Sequence, residues 1–170
     1  MKRYECGLFP FEREDVLSIQ DAKQRAGWNI TAFDLPHAWK HAEGDNVKIA
    51  VLDTGCDLNH PDLKDNLLPG MNFVNPSQKP NDKNGHGSHA SGIICAQNNE
   101  IGMVGVAPKV KVIPVKVLDD SGAGNLINVA KGIRWAADNG ADIISMSLGA
   151  PSPVQQVRKA IQYAAKKNIP

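Results

Sequence analysis

Asp53 and His86 are the residues whose type and setting most invite chemistry in this sequence. Asp53 follows the mostly apolar run Val47-Lys48-Ile49-Ala50-Val51-Leu52 and opens Asp53-Thr54-Gly55. In an open parallel sheet, functional groups gather at the carboxyl ends of strands. A carboxylate there can orient an imidazole, hold a metal ion or bind a ribose. It can equally form a turn before Thr-Gly. His86 lies in Asn84-Gly85-His86-Gly87-Ser88-His89-Ala90-Ser91-Gly92-Ile93. The flanking glycines permit close backbone approach, and the following residues can run as a helix. A helix N-terminus favours a neutral imidazole, which is the form a general base requires. Taken alone, His86 reads as a satisfied structural histidine. His86 with His89 as a metal pair lacks a third ligand.

The elements that must position these residues alternate along the chain. Three runs of strand length cover 47–52, 111–118 and 142–148, and Pro114 weakens the ladder of the second because it cannot donate a hydrogen bond. Between the last two runs, Leu126, Val129, Ala130, Ile133 and Ala137 recur at steps of three and four, an amphipathic helix stopped by Asn139-Gly140. A second such helix carries Val154, Val157, Ile161, Ala164 and Ala165, with Pro153 near its start. A short helix is expected from Asp34 to about His41. Buried strands alternating with helices make the fold class α/β, a doubly wound, mostly parallel sheet with helices on both faces. The sequence stops after a helix, where a further strand is due, so the domain reads as incomplete at its C-terminus. Its last edge predicts association or poor solubility. Residues 1–27 read as an N-terminal extension and 28–170 as the first part of the domain.

Composition narrows the partners. Lys and Arg number 19 against 18 Asp and Glu, a net charge of +1 that supplies no cationic field for nucleic acid. Hydrophobic residues at 42% and charged residues at 22% are ordinary for a globular chain. No apolar run is long enough for a membrane span, and the basic start leads into no signal-like apolar region. Cys6, Cys56 and Cys95 are odd in number and widely spaced, which suits free thiols in the cytoplasm. A single Asp-Thr-Gly among helices argues against the paired carboxylates of an all-β aspartic protease.

Taken together, the blocks resemble the subtilisin-like serine proteases. The resemblance runs through Val51-Leu52-Asp53-Thr54-Gly55, His60-Pro61-Asp62-Leu63, Asn84-Gly85-His86-Gly87-Ser88-His89, Gly102-Met103-Val104-Gly105-Val106-Ala107-Pro108, Val115-Lys116-Val117-Leu118 and Ser145-Met146-Ser147-Leu148-Gly149. It covers about residues 47–150 in family order. Ser88 stands where the family usually has Thr, and Ala90-Ser91 where Val-Ala is common. The resemblance implies that Asp53 is the triad aspartate and His86 the general base. It implies that Gly122, Ala123 and Gly124 with Ser147, Leu148 and Gly149 sandwich an extended peptide or protein substrate. None of the eight serines lies in the Gly-Thr-Ser-Met-Ala context of the family nucleophile. The chain therefore reads as an endopeptidase fragment that is inactive alone.

The same resemblance implies structural calcium, held by Asp62 with the loop residues Gln97, Asn99, Ile101 and Met103. Asp53-Thr54-Gly55-Cys56-Asp57 is similar to the intracellular branch of the family, which implies a cytoplasmic enzyme and a homodimer. Leu8-Phe9-Pro10-Phe11 resembles the short motif of that branch's inhibitory N-terminal extension. Two other readings stay open on the residues alone: a catalytically inactive binding module of the same fold, and a nucleotide-binding α/β domain. The glycine-rich turn 121–124 lacks the third glycine of a dinucleotide fingerprint.

Overall fold

Alternation along one strand sets the layers. β2 (Lys48–Asp53) sends Ala50 and Leu52 to one face of the sheet and Ile49 and Val51 to the other. The computed structural model describes residues 5–8 and 23–170. Among these, four parallel strands run in the order β3 (Met71–Asn72), β4 (Lys111–Lys116), β2 and β6 (Ile143–Ser145). On the Ala50 face, Leu52, Ile113 and Val115 meet α4 (Leu126–Asp138) and α5 (Gln155–Lys166). On the Val51 face, Val112 and Leu63 pack with Cys95 at the end of α3 (His86–Cys95). Each face thus has its own apolar core, and the fold is α/β. A 3₁₀ turn at Lys64–Asn66 leads into β3.

Pro114 sits inside β4, opposite Val51, without breaking the pairing to β2. Backbone groups alternate sides along a strand. The Val112 and Lys116 carbonyls accept from Leu68 N and Phe73 N, so Pro114 faces that same side. The missing N–H is therefore taken from the short β3 side, not from the β2 ladder.

The expected strand over 142–148 pairs only through Ile143–Ser145, because the chain beyond leaves the sheet and Gly149 bonds elsewhere. The outer side of β6 is met by the chain's own end, where Ile144 N donates to Pro170 O at 2.9 Å. The expected helix from Asp34 to about His41 is a single turn, α2 (Leu35–Ala38), preceded by α1 (Trp28–Ala32). Asp34 has φ of 48° and makes no side-chain cap, and α2 buries no residue, so nothing favours a longer helix. By contrast α4 buries Leu126, Val129, Ile133 and Ala136, and Asn125 Oδ1 caps it by accepting from Ile127 N at 2.8 Å. No helix among the described residues is long and apolar enough to cross a membrane.

A smaller antiparallel pair lies apart from the main sheet. β1 (Glu5–Gly7) runs against β5 (Ala123–Asn125), with Cys6 opposite Gly124.

Candidate active site

β2 ends on Asp53, whose residue is fully buried. Its Oδ1 accepts the next backbone N–H, from Thr54, at 2.6 Å. α3 begins on His86, and this helix start lies against the turn that follows β2. The contact is close enough to require glycine on both sides. A Cβ on Gly87 would stand 2.1 Å from Gly55 O, and Gly55 has φ of +105° with Pro80 O only 2.5 Å from its own missing Cβ. The approach brings His86 Nδ1 to 2.9 Å from both Asp53 Oδ1 and Oδ2. His86 keeps about a fifth of its side chain exposed, while Asp53 keeps none. A buried carboxylate against Nδ1 fixes the ring plane, an arrangement in which Nε2 can exchange a proton.

Of the two segments expected to bind substrate, the first is tied to the loop before α3, where Asn84 Nδ2 donates to Asp120 O at 3.2 Å. Asp119 shapes the first: its Oδ1 accepts from Ser121 N, Ser121 Oγ and Ala123 N, and its backbone N–H donates to Ala123 O at 2.7 Å. Burial raises the Asp119 carboxyl, but the bonds from Ser121 and Ala123 and the nearby Lys116 charge outweigh it and hold it below the usual range. The second segment carries exposed Ser147, half-buried Leu148 and Gly149. Between the two lies β1. Gly7 N donates to Gly149 O at 3.2 Å, Gly149 N donates to Gly7 O at 3.1 Å, and Leu8 N donates to Gly122 O at 3.1 Å. The chain's own N-terminal strand thus occupies the space between 122–125 and 149. Cys6 turns inward and is buried, while Glu5 faces solvent. Phe9, Pro10 and Phe11, also expected here, lie outside the described residues.

A third cluster gathers around Asp62, which is only 3% exposed. Asn99 Nδ2 donates to Asp62 Oδ1 at 2.9 Å, Met103 N donates to Oδ2 at 3.3 Å, and Ile101 N donates to Asn99 Oδ1 at 3.0 Å. Gln97 N donates to the Asp62 carbonyl. Gln24 joins them: its backbone N–H donates to Glu100 O at 2.9 Å and its Nε2 to Gln97 O at 2.7 Å. Sequence reading missed Gln24, because its partner Gln97 is 73 positions away.

It also missed two buried polar residues. Asp82 accepts five hydrogen bonds from Thr54, Asn84, Gly85 and Ser88. Lys116, opposite Asp53 in β4, donates from Nζ to Thr54 O and to Asp120 Oδ1. The available signals were an Asp two and three residues before Asn84-Gly85, an Asx-turn pattern, and a lysine inside an apolar strand.

The subtilase family model matches residues 44–169. Thermitase of Thermoactinomyces vulgaris is 46% identical over 79% of this chain and 49% of its own length. The major intracellular serine protease of Bacillus subtilis (strain 168) is 37% identical over 97% of this chain and 53% of its own. The intracellular serine protease of Paenibacillus polymyxa is 43% identical over 82% and 44% respectively. The chain spans about half the length of the curated relatives it matches.

Proposed function

The chain belongs to the subtilase family, and from that premise we propose that it is the Asp- and His-bearing part of a serine endopeptidase. The observation that carries the reading is the contact of His86 Nδ1 with the buried Asp53 carboxylate at 2.9 Å. His86 Nε2 takes the proton of an attacking serine hydroxyl and returns it to the leaving amine. Asp53 holds the ring by Nδ1 and stabilises the imidazolium formed meanwhile. A peptide added between 122–124 and 147–149 is bound by its main chain, so its side chains set specificity. The nucleophile and the oxyanion donor come from the part of the enzyme outside these 170 residues, which alone cleave nothing above background.

In this reading β1 is an intramolecular occupant that competes with substrate for the groove, and residues 1–27 include an inhibitory extension. Calcium is the structural ion. The Asp62 carboxylate is buried, and among the described residues it forms no ion pair with Lys or Arg. A buried carboxylate with no cation partner, whose recorded contacts are only the neutral donors Asn99 Nδ2 and Met103 N, fits a hard cation. Asp62, the side chains of Asn99 and Gln24, and the carbonyls of Gln97, Ile101 and Met103 would hold it. The ion ties three distant segments together and takes no part in turnover. Free thiols at Cys6, Cys56 and Cys95 suit the cytoplasm, and two of the named relatives are intracellular by their names. A homodimer is part of the same proposal.

The test is labelling with a serine-directed fluorophosphonate. The 170-residue chain should stay unlabelled, and the chain continued through a downstream serine should label and hydrolyse a fluorogenic peptide. His86→Ala in the longer form should abolish labelling. An unreactive longer form would favour the inactive binding module, and stoichiometric labelling of the short chain would displace the proposed site.

A further inference from the structure

Asp82 takes no part in the Asp53–His86 contact, yet it touches both segments that make it. One carboxylate oxygen accepts Thr54 Oγ1 at 2.9 Å, Asn84 N at 2.9 Å and Gly85 N at 3.0 Å. The other accepts Ser88 N at 2.9 Å and Ser88 Oγ at 2.7 Å. Thr54 belongs to the turn after β2, and Ser88 to the first turn of α3. Thr54 Oγ1 also accepts Gly87 N at 3.0 Å, and Thr54 N donates to the catalytic carboxylate itself. The backbone repeats the link: Cys56 N donates to Pro80 O, and Asp82 N donates to Cys56 O, each at 3.0 Å. Burial pushes the Asp82 carboxyl up, but the donors from Gly85, Ser88 and Asn84 outweigh that and hold it below the usual range.

A cap that served the helix alone would need only the Ser88 and loop contacts. The reach to Thr54 is what joins helix to strand end. We propose that Asp82 is a positioning residue: through Thr54 and the start of α3 it holds Asp53 and His86 in register. The proposal rests on the reading of Asp53 and His86 as orienter and base. Catalytic constellations tolerate displacements of only about 0.5 Å, so loosening this clamp uncouples the pair before it unfolds the chain.

The readout is the low-field proton resonance of the His86 Nδ1–H shared with Asp53, recorded on the 170-residue chain across pH, where turnover is not required. It should be present in the unaltered chain, lost or broadened in Asp82→Asn and Thr54→Val, and restored in Thr54→Ser, which returns the hydroxyl. Circular dichroism should show each variant folded. If Asp82→Asn does not fold, the Thr54→Val and Thr54→Ser pair decides, because valine matches threonine in shape. An unchanged resonance in folded Asp82→Asn or Thr54→Val overturns the proposal, as does its absence from the unaltered chain. Fluorophosphonate labelling of the longer chain is independent, so the peptidase reading and this inference can fail separately.

Discussion

Ser91, in the middle of the helix that begins on His86, carries a fully buried hydroxyl that meets no nitrogen or oxygen partner among the described residues and has the Cys56 thiol beside it. Close by, burial pushes the Cys56 thiol up to about 11, and Cys95, one turn along α3, goes up to about 12 for the same reason first. Both thiols stay protonated near neutral pH and act as small apolar groups, which makes them poor partners for an oxygen. Leaving a buried polar group unsatisfied costs about 1–3 kcal/mol. Ser91→Ala removes only that oxygen. It should raise unfolding stability by about 1 kcal/mol, read as a higher denaturation midpoint at unchanged slope. A lower midpoint would mean that the hydroxyl is satisfied after all, with the Cys56 thiol the first candidate. Asp53 and His86, which the structure brings together, were legible at this scale because Asp-Thr-Gly and Gly-His-Gly stand in blocks of recognisable order. Asp82 was not: in sequence, an aspartate among Asn, Lys and Gly is indistinguishable from any turn former.

β1 is the element on whose docking the proposed inhibition turns. Three backbone hydrogen bonds reach from Gly7 and Leu8 to Gly149 and Gly122, and Cys6 fills a buried position beside Leu118 and Leu126. A chain starting at residue 9 keeps Gln24 and Arg25, which are bonded to the 97–103 loop, and removes only the strand. Such a chain should bind a fluorescent extended apolar peptide that the intact chain excludes, measured by anisotropy. Equal binding by both chains would show that β1 does not compete for the groove. The long helices were readable because α4 and α5 must each bury one face against the sheet, which imposes spacing on their apolar residues. α1 was not readable because it leaves Trp28 and Phe33 largely exposed, so its pattern carries no such imprint. β6 was overextended because apolar spacing does not tell where a strand leaves its sheet to bond another segment.

At the scale of the whole chain, the Asp62 cluster joins three segments far apart in sequence. Gln24 lies near the start, Asp62 after β2 and the 97–103 loop after α3, and they meet at one point. A calcium ion shared by these segments can bind only when all three are folded together, so it stabilises the native state by mass action, about 2.7 kcal/mol at a hundredfold excess over its dissociation constant. Calcium should therefore raise the melting temperature of the intact chain, and a chelator should reverse the rise. Asp62→Asn keeps the size and an acceptor oxygen but removes the only carboxylate of the proposed set. It should suppress most of the calcium-dependent increment and also lower the metal-free melting temperature, since the new NH2 faces a donor, Asn99 Nδ2 or Met103 N. Gln24→Ala should shrink the increment by less and lower the metal-free value slightly, because its bond to Gln97 O is lost. Magnesium should substitute poorly, since it demands a tighter octahedral shell than backbone carbonyls on a loop provide. A melting curve indifferent to calcium in the parent would leave Asp62 as a buried carboxylate satisfied by Asn99 and Met103 alone, and the three segments would then be joined by hydrogen bonds without an ion.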